Sequence, residues 1–213
     1  MVAVEWLGHS CFLVTGTHVR IIIDPFEADS RFRYPPVTAA ADLVLVTHEH
    51  FDHNNSDAVG GSPSVMRGPG EWKSPIHIRG LEASHGPKRG KTAIYVFQVD
   101  GLNFCHLGDL GEIPSAELAR QIGSVDVLMI PVGGVYTIDH SGADEVLRIL
   151  KPRLVLPMHY KTESVGLPLD PVSKFTRGKT NVRAENSSTI SIDKDNLPAS
   201  TTIVVLAPPA PKR

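Results

Sequence analysis

The amino-acid sequence predicts a mixed α/β (α+β) fold. Short apolar runs bounded by turn residues recur along the chain and indicate β-strands, as at 2–7 and 43–46. Segments that follow Ser115 and Ser141 combine a capping residue with an inward apolar stripe and indicate helices. Metal-binding side chains follow the ends of several predicted strands. We therefore expect a sheet core with a functional site along one edge.

Length and composition favour one compact domain over residues 1–207, with 208–213 as a frayed proline-rich tail. The chain has 213 residues, of which 41% are hydrophobic, enough to bury a full core. Its 21 Lys and Arg against 23 Asp and Glu create no net field that attracts nucleic acid or membranes. No leader-like start or membrane-spanning apolar stretch is evident, which predicts a cytoplasmic protein. Cys11 and Cys105 lie in strand-like runs and are expected to be reduced.

The first part of the chain is predicted to be antiparallel sheet followed by a loop. Strands are expected at 2–7, 11–14 and 19–23, and the third leads directly into Asp24. The irregular segment 26–40 carries aromatic and cationic residues and is typical of a mobile surface loop. Such a loop either covers a site or is simply solvated.

The middle of the chain is predicted to return to strands after a short helix in 54–61 and a turn-rich stretch. His77 alternates with isoleucines and is expected on the wet face of its strand. The pair Asp100-Gly101 is a strong hairpin signal between two apolar runs. The strands expected here are 76–84, 92–99 and 102–107.

The last third of the chain alternates helices with strands. The first helix begins at Ser115 as N-cap and ends at Gly123. A second helix is predicted to begin with a capping box of Ser141 and Asp144 and to stop at Pro152. The other elements expected are strands at 126–132, 154–158 and 202–206, a short helix at 171–177 and weak strands within 182–192.

The most informative stretch is HEHFDH, from His48 to His53, directly after the apolar run 43–46. Three imidazoles and a carboxylate so close together need partners if they are buried, and a divalent metal ion is such a partner. A solvated histidine-rich turn is the alternative, and ligands elsewhere in the chain argue against it. The downstream candidates, each after an apolar strand, are His85, Asp109 and His159.

This order of motifs resembles the metallo-beta-lactamase superfamily. Its pattern is an early strand-end Asp, here Asp24, then His-x-His-x-Asp-His, a lone His, a lone Asp and a final His. The sequences at 6–10 (WLGHS) and 157–160 (PMHY) are similar to those of a narrower group of small bacterial and archaeal hydrolases. That group is related to ascorbate-6-phosphate lactonase and to the N-acyl-phosphatidylethanolamine phospholipase D. The resemblance implies a four-layer αββα sandwich with a dinuclear metal site at one edge of two facing sheets.

The resemblance also implies that the ligands are divided between two metals and that Asp24 contacts the ligands rather than the metals. Leu110 follows Asp109 where many relatives have Thr, so any hydrogen bond of that hydroxyl is missing here. In this set His48, His50 and His85 hold the first metal, Asp52, His53 and His159 hold the second, and Asp109 bridges them.

The chemistry implied is hydrolysis by a hydroxide shared between two divalent ions, with no serine or cysteine nucleophile. Nitrogen and carboxylate ligands without thiolate favour Zn²⁺, and Mn²⁺ or Fe²⁺ fit the same set. Asp52 is also a candidate proton relay to the leaving group. Candidates for orienting a ligand or an oxyanion are His9 and His106, followed by Tyr136 and His140, and ordinary structural roles stay open for each.

The expected substrate is a small anionic molecule, either a phosphodiester or a lactone-type ester. The turn after His85 carries Lys88, Arg89 and Lys91, and Lys161 follows His159. These cations either border the metals and suit phosphate, or are solvated loop charges.

Two other functions and the state of assembly stay open. A nuclease acting on RNA or DNA is disfavoured by the neutral charge balance and by the absence of an accessory domain. A non-catalytic metal-binding protein is disfavoured because a structural site normally closes its coordination. Self-association into a homo-oligomer is compatible with the sequence.

Overall fold

The computed structural model describes residues 1–29 and 31–210 and places them in two β-sheets. The six-stranded sheet has the order β13-β1-β2-β3-β4-β5, and the eight-stranded sheet has the order β12-β14-β11-β10-β9-β8-β7-β6. The last three residues of the tail predicted to be frayed lie outside the described residues. The strands are β1 (Val2–Gly8), β2 (Cys11–Thr15), β3 (Arg20–Ile23), β4 (Leu43–Val46), β5 (Ser64–Arg67), β6 (Gly70–Trp72), β7 (Ile78–Ser84), β8 (Lys91–Val99), β9 (Leu102–His106), β10 (Val127–Pro131), β11 (Leu154–Met158), β12 (Val182–Ala184), β13 (Thr189–Ile192) and β14 (Thr202–Val205), and the α-helices are α1 (Ala116–Ile122), α2 (His140–Leu150) and α3 (Val172–Thr176).

Alternation along the strands of the first sheet divides the core into two clusters. On β3, Ile21 and Ile23 belong to the large cluster between the sheets, whereas Ile22 belongs to a second cluster on the other face. Phe32 and Tyr34 also lie in this second cluster and are 0% exposed. Both faces of the first sheet are therefore covered by apolar side chains.

The segment 26–40 forms the outer layer over the first sheet. The prediction of a mobile surface loop is wrong for its aromatic residues, because burying the rings of Phe32 and Tyr34 stabilises the fold more than leaving them in solvent would. The segment is also tied to a distant loop, since Arg33 N–H donates to the Ser164 carbonyl at 2.8 Å and Gly166 N–H donates to the Arg31 carbonyl at 2.7 Å. The predicted sandwich fold is confirmed, with this irregular segment as one of its outer layers.

The structure contains the two helices predicted after Ser115 and near Ser141, and the second begins earlier than predicted. Helix α1 begins after Ser115, whose side chain accepts a hydrogen bond from Leu118 N–H, and ends at Gly123. Helix α2 begins earlier than the predicted capping box, because the Asp139 side chain accepts from Gly142 N–H and caps the helix instead. A carboxylate caps as well as serine does and also interacts favourably with the helix dipole.

Two short strands were not predicted, and one predicted helix is shorter than expected. Strands β5 and β6 are sheet edges in the stretch that the sequence suggested to be turn-rich. Short edge strands next to glycine and proline show only a weak alternation of apolar and polar residues. Whether such a segment forms a strand therefore depends on pairing with a neighbouring strand. The helix expected in 54–61 is a single 3₁₀ turn, Ser56–Ala58. Cys11 and Cys105 are buried and free, as predicted.

A buried tyrosine connects the two sheets close to the HEHFDH motif. The hydroxyl of Tyr95 on β8 donates to the carbonyl of Val46 at 2.8 Å, where β4 ends. We expect Tyr95→Phe to lower the free energy of unfolding by about 1 kcal/mol, because it removes this buried hydrogen bond between the sheets while Gly68 N–H still donates to the Val46 carbonyl at 2.9 Å. Urea unfolding monitored by circular dichroism measures the change, with Tyr160→Phe as a buried-tyrosine control. An unchanged midpoint for Tyr95→Phe would contradict this role.

Candidate metal centre

The predicted ligands lie together beyond the carboxyl ends of four strands. The HEHFDH turn follows β4, and the three single ligands follow β7, β9 and β11. Because the sheets bring these strand ends to one rim, residues distant in sequence converge there. All of the ligands are buried except His50, which is half-buried: His48, Asp52, His53, His85, Asp109 and His159.

The first group of donors consists of three imidazoles. His48 Nε2 lies 3.0 Å from His50 Nδ1, and His85 Nε2 lies 3.3 Å from the same atom. Imidazole nitrogens bound tetrahedrally at about 2.0–2.1 Å from zinc are about 3.3 Å apart. The spacing of these nitrogens therefore suits one shared ion.

The second group of donors surrounds the carboxylate of Asp109. His53 Nε2 lies 3.2 Å from Asp109 Oδ1, and His159 Nε2 lies 3.3 Å from Asp109 Oδ2. Asp52 Oδ2 lies 3.7 Å from His53 Nε2. Asp109 Oδ2 is also 3.4 Å from His85 Nε2, in the first group. Asp109 therefore contacts both groups of donors.

Several polar atoms at this junction face one another, but among the described residues they make no hydrogen bond of good geometry. They are His53 Nε2, Asp109 Oδ1 and both ring nitrogens of His159. Buried polar atoms in folded proteins are almost always paired, and leaving them unpaired is costly. A divalent cation would accept lone pairs from such atoms, so the residues fit a metal centre on the chemistry of their donors.

Asp24 orients His53 from behind the donors. Its carboxylate accepts hydrogen bonds from Thr47 N–H, Thr47 Oγ1 and His53 Nδ1, each at 2.8 Å. Because Nδ1 donates its proton to Asp24, the ring is held with Nε2 facing the junction. Asp24 lies where the sequence predicted it, behind the ligands.

Backbone conformation aims three of these side chains at the rim. His9, Asp24 and His159 have φ angles of 51°, 50° and 52°, and each directly follows a strand. The left-handed region is rare for residues other than glycine and costs on the order of 1 kcal/mol or more. The conformational strain therefore lies at the residues whose side chains have to turn from the end of a strand toward the site.

His9 contacts two of the predicted ligands without lining the cavity beside them. Its Nε2 lies 3.2 Å from Asp52 Oδ2, and its carbonyl accepts a hydrogen bond from His159 N–H at 3.2 Å. Burial, followed by the nearby His159, lowers the pKa of His9 to about 4. A neutral His9 that donates from Nε2 to Asp52 would hold that carboxylate in one orientation.

Both ring nitrogens of His106 are hydrogen-bonded to backbone groups at this edge of the site. Its Nε2 donates to the Ser10 carbonyl at 2.9 Å, and its Nδ1 accepts from Gly108 N–H at 3.1 Å. With both nitrogens engaged, the ring shapes the turn that carries Asp109. The contacts of His9 and His106 suit positioning roles, in which His9 orients Asp52 and His106 shapes the turn before Asp109. Both roles stay predictions.

The charge on His53 leads to a testable prediction about metal binding. Burial alone would lower the pKa of His53, but the carboxylates of Asp109, Asp52 and Asp24 outweigh burial and raise its pKa well above 6.5. Without metal His53 is therefore protonated at neutral pH, and an ion at Nε2 has to displace that proton. We expect binding at pH 7 to release about one proton through this residue, so metal affinity rises with pH.

Calorimetric titration of metal-free protein with Zn²⁺ in buffers of different ionisation enthalpy measures this release. His53→Gln is the control and should reduce the number of released protons by about one. Equal proton release by the wild type and His53→Gln would contradict the assignment.

The donors form the floor of a cavity of about 390 Å³. Among the cations predicted to border the metals, Arg89 is the one that lines this cavity within the described part of the chain. Lys91 is paired with Glu82 at 2.8 Å, and Lys161 donates to the Leu167 carbonyl at 3.0 Å. Of the two alternatives for Lys161, the structure does not place it in the cavity lining, because loop carbonyls bind its ammonium group. The walls of the cavity are Arg31, Glu49, Phe51, Arg89, Tyr136 and Leu167.

Three of these wall residues were not predicted. Glu49 and Phe51 alternate with the histidines of the motif, so their proximity to the ligands was a signal available in the sequence. Leu167 lies in a loop that follows the final ligand and has no motif of its own. Its place in the cavity depends on the tertiary structure.

Comparison with known families identifies the group to which this fold and this arrangement of donors belong. A family model described as the beta-lactamase superfamily domain matches residues 3–159. The chain belongs to this superfamily. The match spans the HEHFDH motif and ends at the last predicted ligand, His159.

Relatives within the superfamily resemble the chain over most of its length. A crystal structure from Thermotoga maritima, assigned to the Zn-dependent hydrolases of the metallo-beta-lactamase superfamily, is 32% identical, with a TM-score of 0.83 over 97% of this chain and 98% of that one. A UPF0173 metal-dependent hydrolase of Thermococcus onnurineus is 31% identical and covers 76% of this chain and 86% of its own. A metallo hydrolase from Ignicoccus hospitalis is 26% identical, with a TM-score of 0.58 over 75% of this chain and 83% of that one.

The chain is therefore a metal-dependent hydrolase of the metallo-beta-lactamase superfamily, as the motifs predicted. The cluster of His and Asp side chains described above could bind the metal. No helix among the described residues is long and apolar enough to cross a membrane.

Proposed function

We propose that this superfamily member holds two divalent metal ions and hydrolyses a small phosphodiester or a lactone-type ester. The observation that carries the proposal is the pair of donor groups that share the carboxylate of Asp109. A purely structural site would use one closed set of ligands, whereas two groups around one carboxylate suit an open, dinuclear centre. The cavity volume of about 390 Å³ suits a small molecule.

The metal-holding residues are proposed to be those that the sequence suggested. A divalent pair supplies a water activated near neutral pH and positive charge facing the substrate oxygen. Zinc is the proposed metal, since the donors are nitrogen and carboxylate, and the Thermotoga maritima relative is assigned to the Zn-dependent hydrolases. His48, His50 and His85 are assigned to one ion, Asp52, His53 and His159 to the other, and Asp109 to both.

Asp52 is proposed to move the proton in this reaction. It lines the cavity, and its Oδ2 is held by His9 at 3.2 Å. Burial would raise the pKa of Asp52, but His53 and His9 lower it, so the carboxylate is ionised and can accept a proton from the attacking water. It can then return that proton to the leaving group.

Asp52→Asn tests this role. We expect kcat to fall by about 10²–10⁴-fold, because an amide cannot carry the proton. Turnover and metal content have to be measured on the same sample, since Asp52 is also an assigned ligand. A variant that retains two metals and turns over at the normal rate would refute the proton-transfer role.

The function itself is tested by metal analysis followed by a substrate screen. Purified protein is expected to contain two divalent ions per chain and to hydrolyse bis(p-nitrophenyl) phosphate or simple lactones. A cephalosporin and single-stranded RNA test the alternative activities in the same screen. Stoichiometric metal without hydrolysis of any substrate would favour a non-catalytic metal protein, and a preference for RNA would favour the nuclease.

A further inference from the structure

The cavity of about 390 Å³ above the metal donors is called the catalytic cavity below. A second cavity adjoins it on the side of His85. Its volume is about 270 Å³, and it shares Arg89 and Tyr136 with the larger one. Its other walls include Lys88, from the turn after β7, and Thr137, from the loop after β10. The two cavities therefore form one cleft, which the side chains of Arg89 and Tyr136 divide.

The charge of Arg89 has no acidic partner within ion-pair distance among the described residues. Its guanidinium instead lies over the ring of Tyr136, with Cζ 4.2 Å from the ring centroid. Arg31, on the other wall of the catalytic cavity, differs, because its Nε and Nη2 both donate to Asp29, at 2.8 and 2.5 Å. Arg89 thus keeps its N–H donors available, whereas the charge of Arg31 is already compensated.

Arg89 belongs to a closed turn that begins at the predicted ligand His85. The N–H of His85 donates to the carbonyl of Gly90 at 3.0 Å, and the N–H of Arg89 donates to the carbonyl of Gly86 at 3.2 Å. These bonds fix the backbone of Arg89 relative to the ligand, and the Tyr136 ring then positions the guanidinium. A group bound by Arg89 would therefore lie at a defined distance from the metal donors.

Tyr136 is presented by a strained loop. Val135 has a φ of 62°, which is rare for a β-branched residue, and its side chain is exposed. The N–H of Tyr136 donates back to the carbonyl of Gly134 at 2.6 Å. This turn places the Tyr136 ring against Arg89, where the stack orients the guanidinium plane.

We infer that the compartment beside Lys88 and Arg89 binds a non-reacting anionic group of the substrate, a carboxylate or a phosphate, while the scissile bond lies over the donor cluster. The inference rests on the proposed hydrolytic function and narrows its substrate class to small esters that carry a second, acidic group. An uncompensated guanidinium oriented by an aromatic ring suits such a group, because it offers two parallel N–H donors. A neutral ester would leave this compartment without a charged partner.

Two esters of equal acyl length test the inference with zinc-loaded protein. These are p-nitrophenyl butyrate, which is neutral, and mono-p-nitrophenyl succinate, which ends in a carboxylate. We expect Arg89→Gln to lower the ratio of kcat/KM for the anionic ester to that for the neutral ester by about tenfold or more. Lys91→Gln is the matched control, since Lys91 lies in the same turn but is paired with Glu82. An equal ratio in wild type, Arg89→Gln and Lys91→Gln would overturn the inference.

Substitutions of Tyr136 separate the ring from the hydroxyl. Tyr136→Phe keeps the stack and should keep the ratio near the wild-type value, whereas Tyr136→Leu removes the stack and should lower the ratio. A loss in Tyr136→Phe equal to that in Tyr136→Leu would contradict orientation of Arg89 by the ring.

A binding measurement decides the inference even without ester turnover. Inorganic phosphate is titrated into zinc-loaded protein, and amide NMR shifts are followed at Gly86, at 88–90 and at Thr137. We expect shifts at both places and a Kd about tenfold higher or more in Arg89→Gln. Shifts confined to the other ligand segments, 48–53, 109 and 159, or an unchanged Kd in the variant, would overturn the anion site. If the wild type hydrolyses neither ester, the proposed ester hydrolysis fails, and this titration still decides the anion site.

Discussion

Asp109→Ala is expected to abolish hydrolysis and to reduce the metal content of the purified protein from two ions to at most one. The reason is that this carboxylate contacts both donor groups, with Oδ1 facing His53 and Oδ2 facing His85 and His159. Losing the charge stabilisation that metals supply costs several kcal/mol in the transition state, so kcat/KM should fall by about a thousandfold or more. Metal analysis and steady-state kinetics on the same preparation measure both effects.

The control for this variant is a carboxylate on the surface. Asp144 on α2 forms an exposed pair with Lys179, and Asp144→Asn should retain both metals and normal turnover. Two tightly bound ions in Asp109→Ala would show that the two donor groups do not depend on this bridge and would refute the proposed dinuclear arrangement.

Removal of metal from the wild type is the second large effect. Chelation is expected to eliminate activity and to lower the melting temperature by about 10 °C. A ligand at a thousandfold excess over its Kd stabilises the native state by about 4 kcal/mol, and each kcal/mol corresponds to roughly 2–4 °C for a chain of this size. In the metal-free protein His53 and His159 face the Asp109 carboxylate, and among the described residues these buried atoms have no other partner to replace the ion.

Differential scanning calorimetry before and after dialysis against a chelator measures this shift, and added Zn²⁺ should restore both melting temperature and activity. Repeating the addition with Mn²⁺ distinguishes the proposed metal from an alternative. Full activity after complete removal of divalent ions would contradict the mechanism, whereas restoration by Mn²⁺ alone would correct the metal assignment.

The candidate site was predictable from sequence to an unusual degree because its donors follow strands. An apolar run that ends in a polar residue marks both a strand and its exit, and HEHFDH, His85, Asp109 and His159 all have this form. Fold class, most strands and the first helix followed from the same local signals. The short edge strands β5 and β6 did not, since pairing rather than local sequence stabilises them.

The cationic residues show where sequence reasoning stops. Lys88, Arg89, Lys91 and Lys161 are equivalent in the sequence, as cations close to predicted ligands. In the structure Lys91 is paired with Glu82, and Lys161 binds loop carbonyls. Arg89 lies over Tyr136 and has no acidic partner in the part of the chain that the structure describes. Long flexible side chains find their partners only after the chain has folded, so their position in the sequence does not predict these contacts.

The sequence by itself indicated the superfamily, through the resemblance of its ordered motifs, and placed the candidate ligands at strand ends, because alternation and strand exits are local properties of the chain. Only the tertiary structure decided that Phe32 and Tyr34 are buried, that His9 contacts Asp52, and that Arg89 faces the cleft. Each of these depends on contacts between residues far apart in the chain. Such contacts form because burial and hydrogen bonding across the whole fold outweigh local preference.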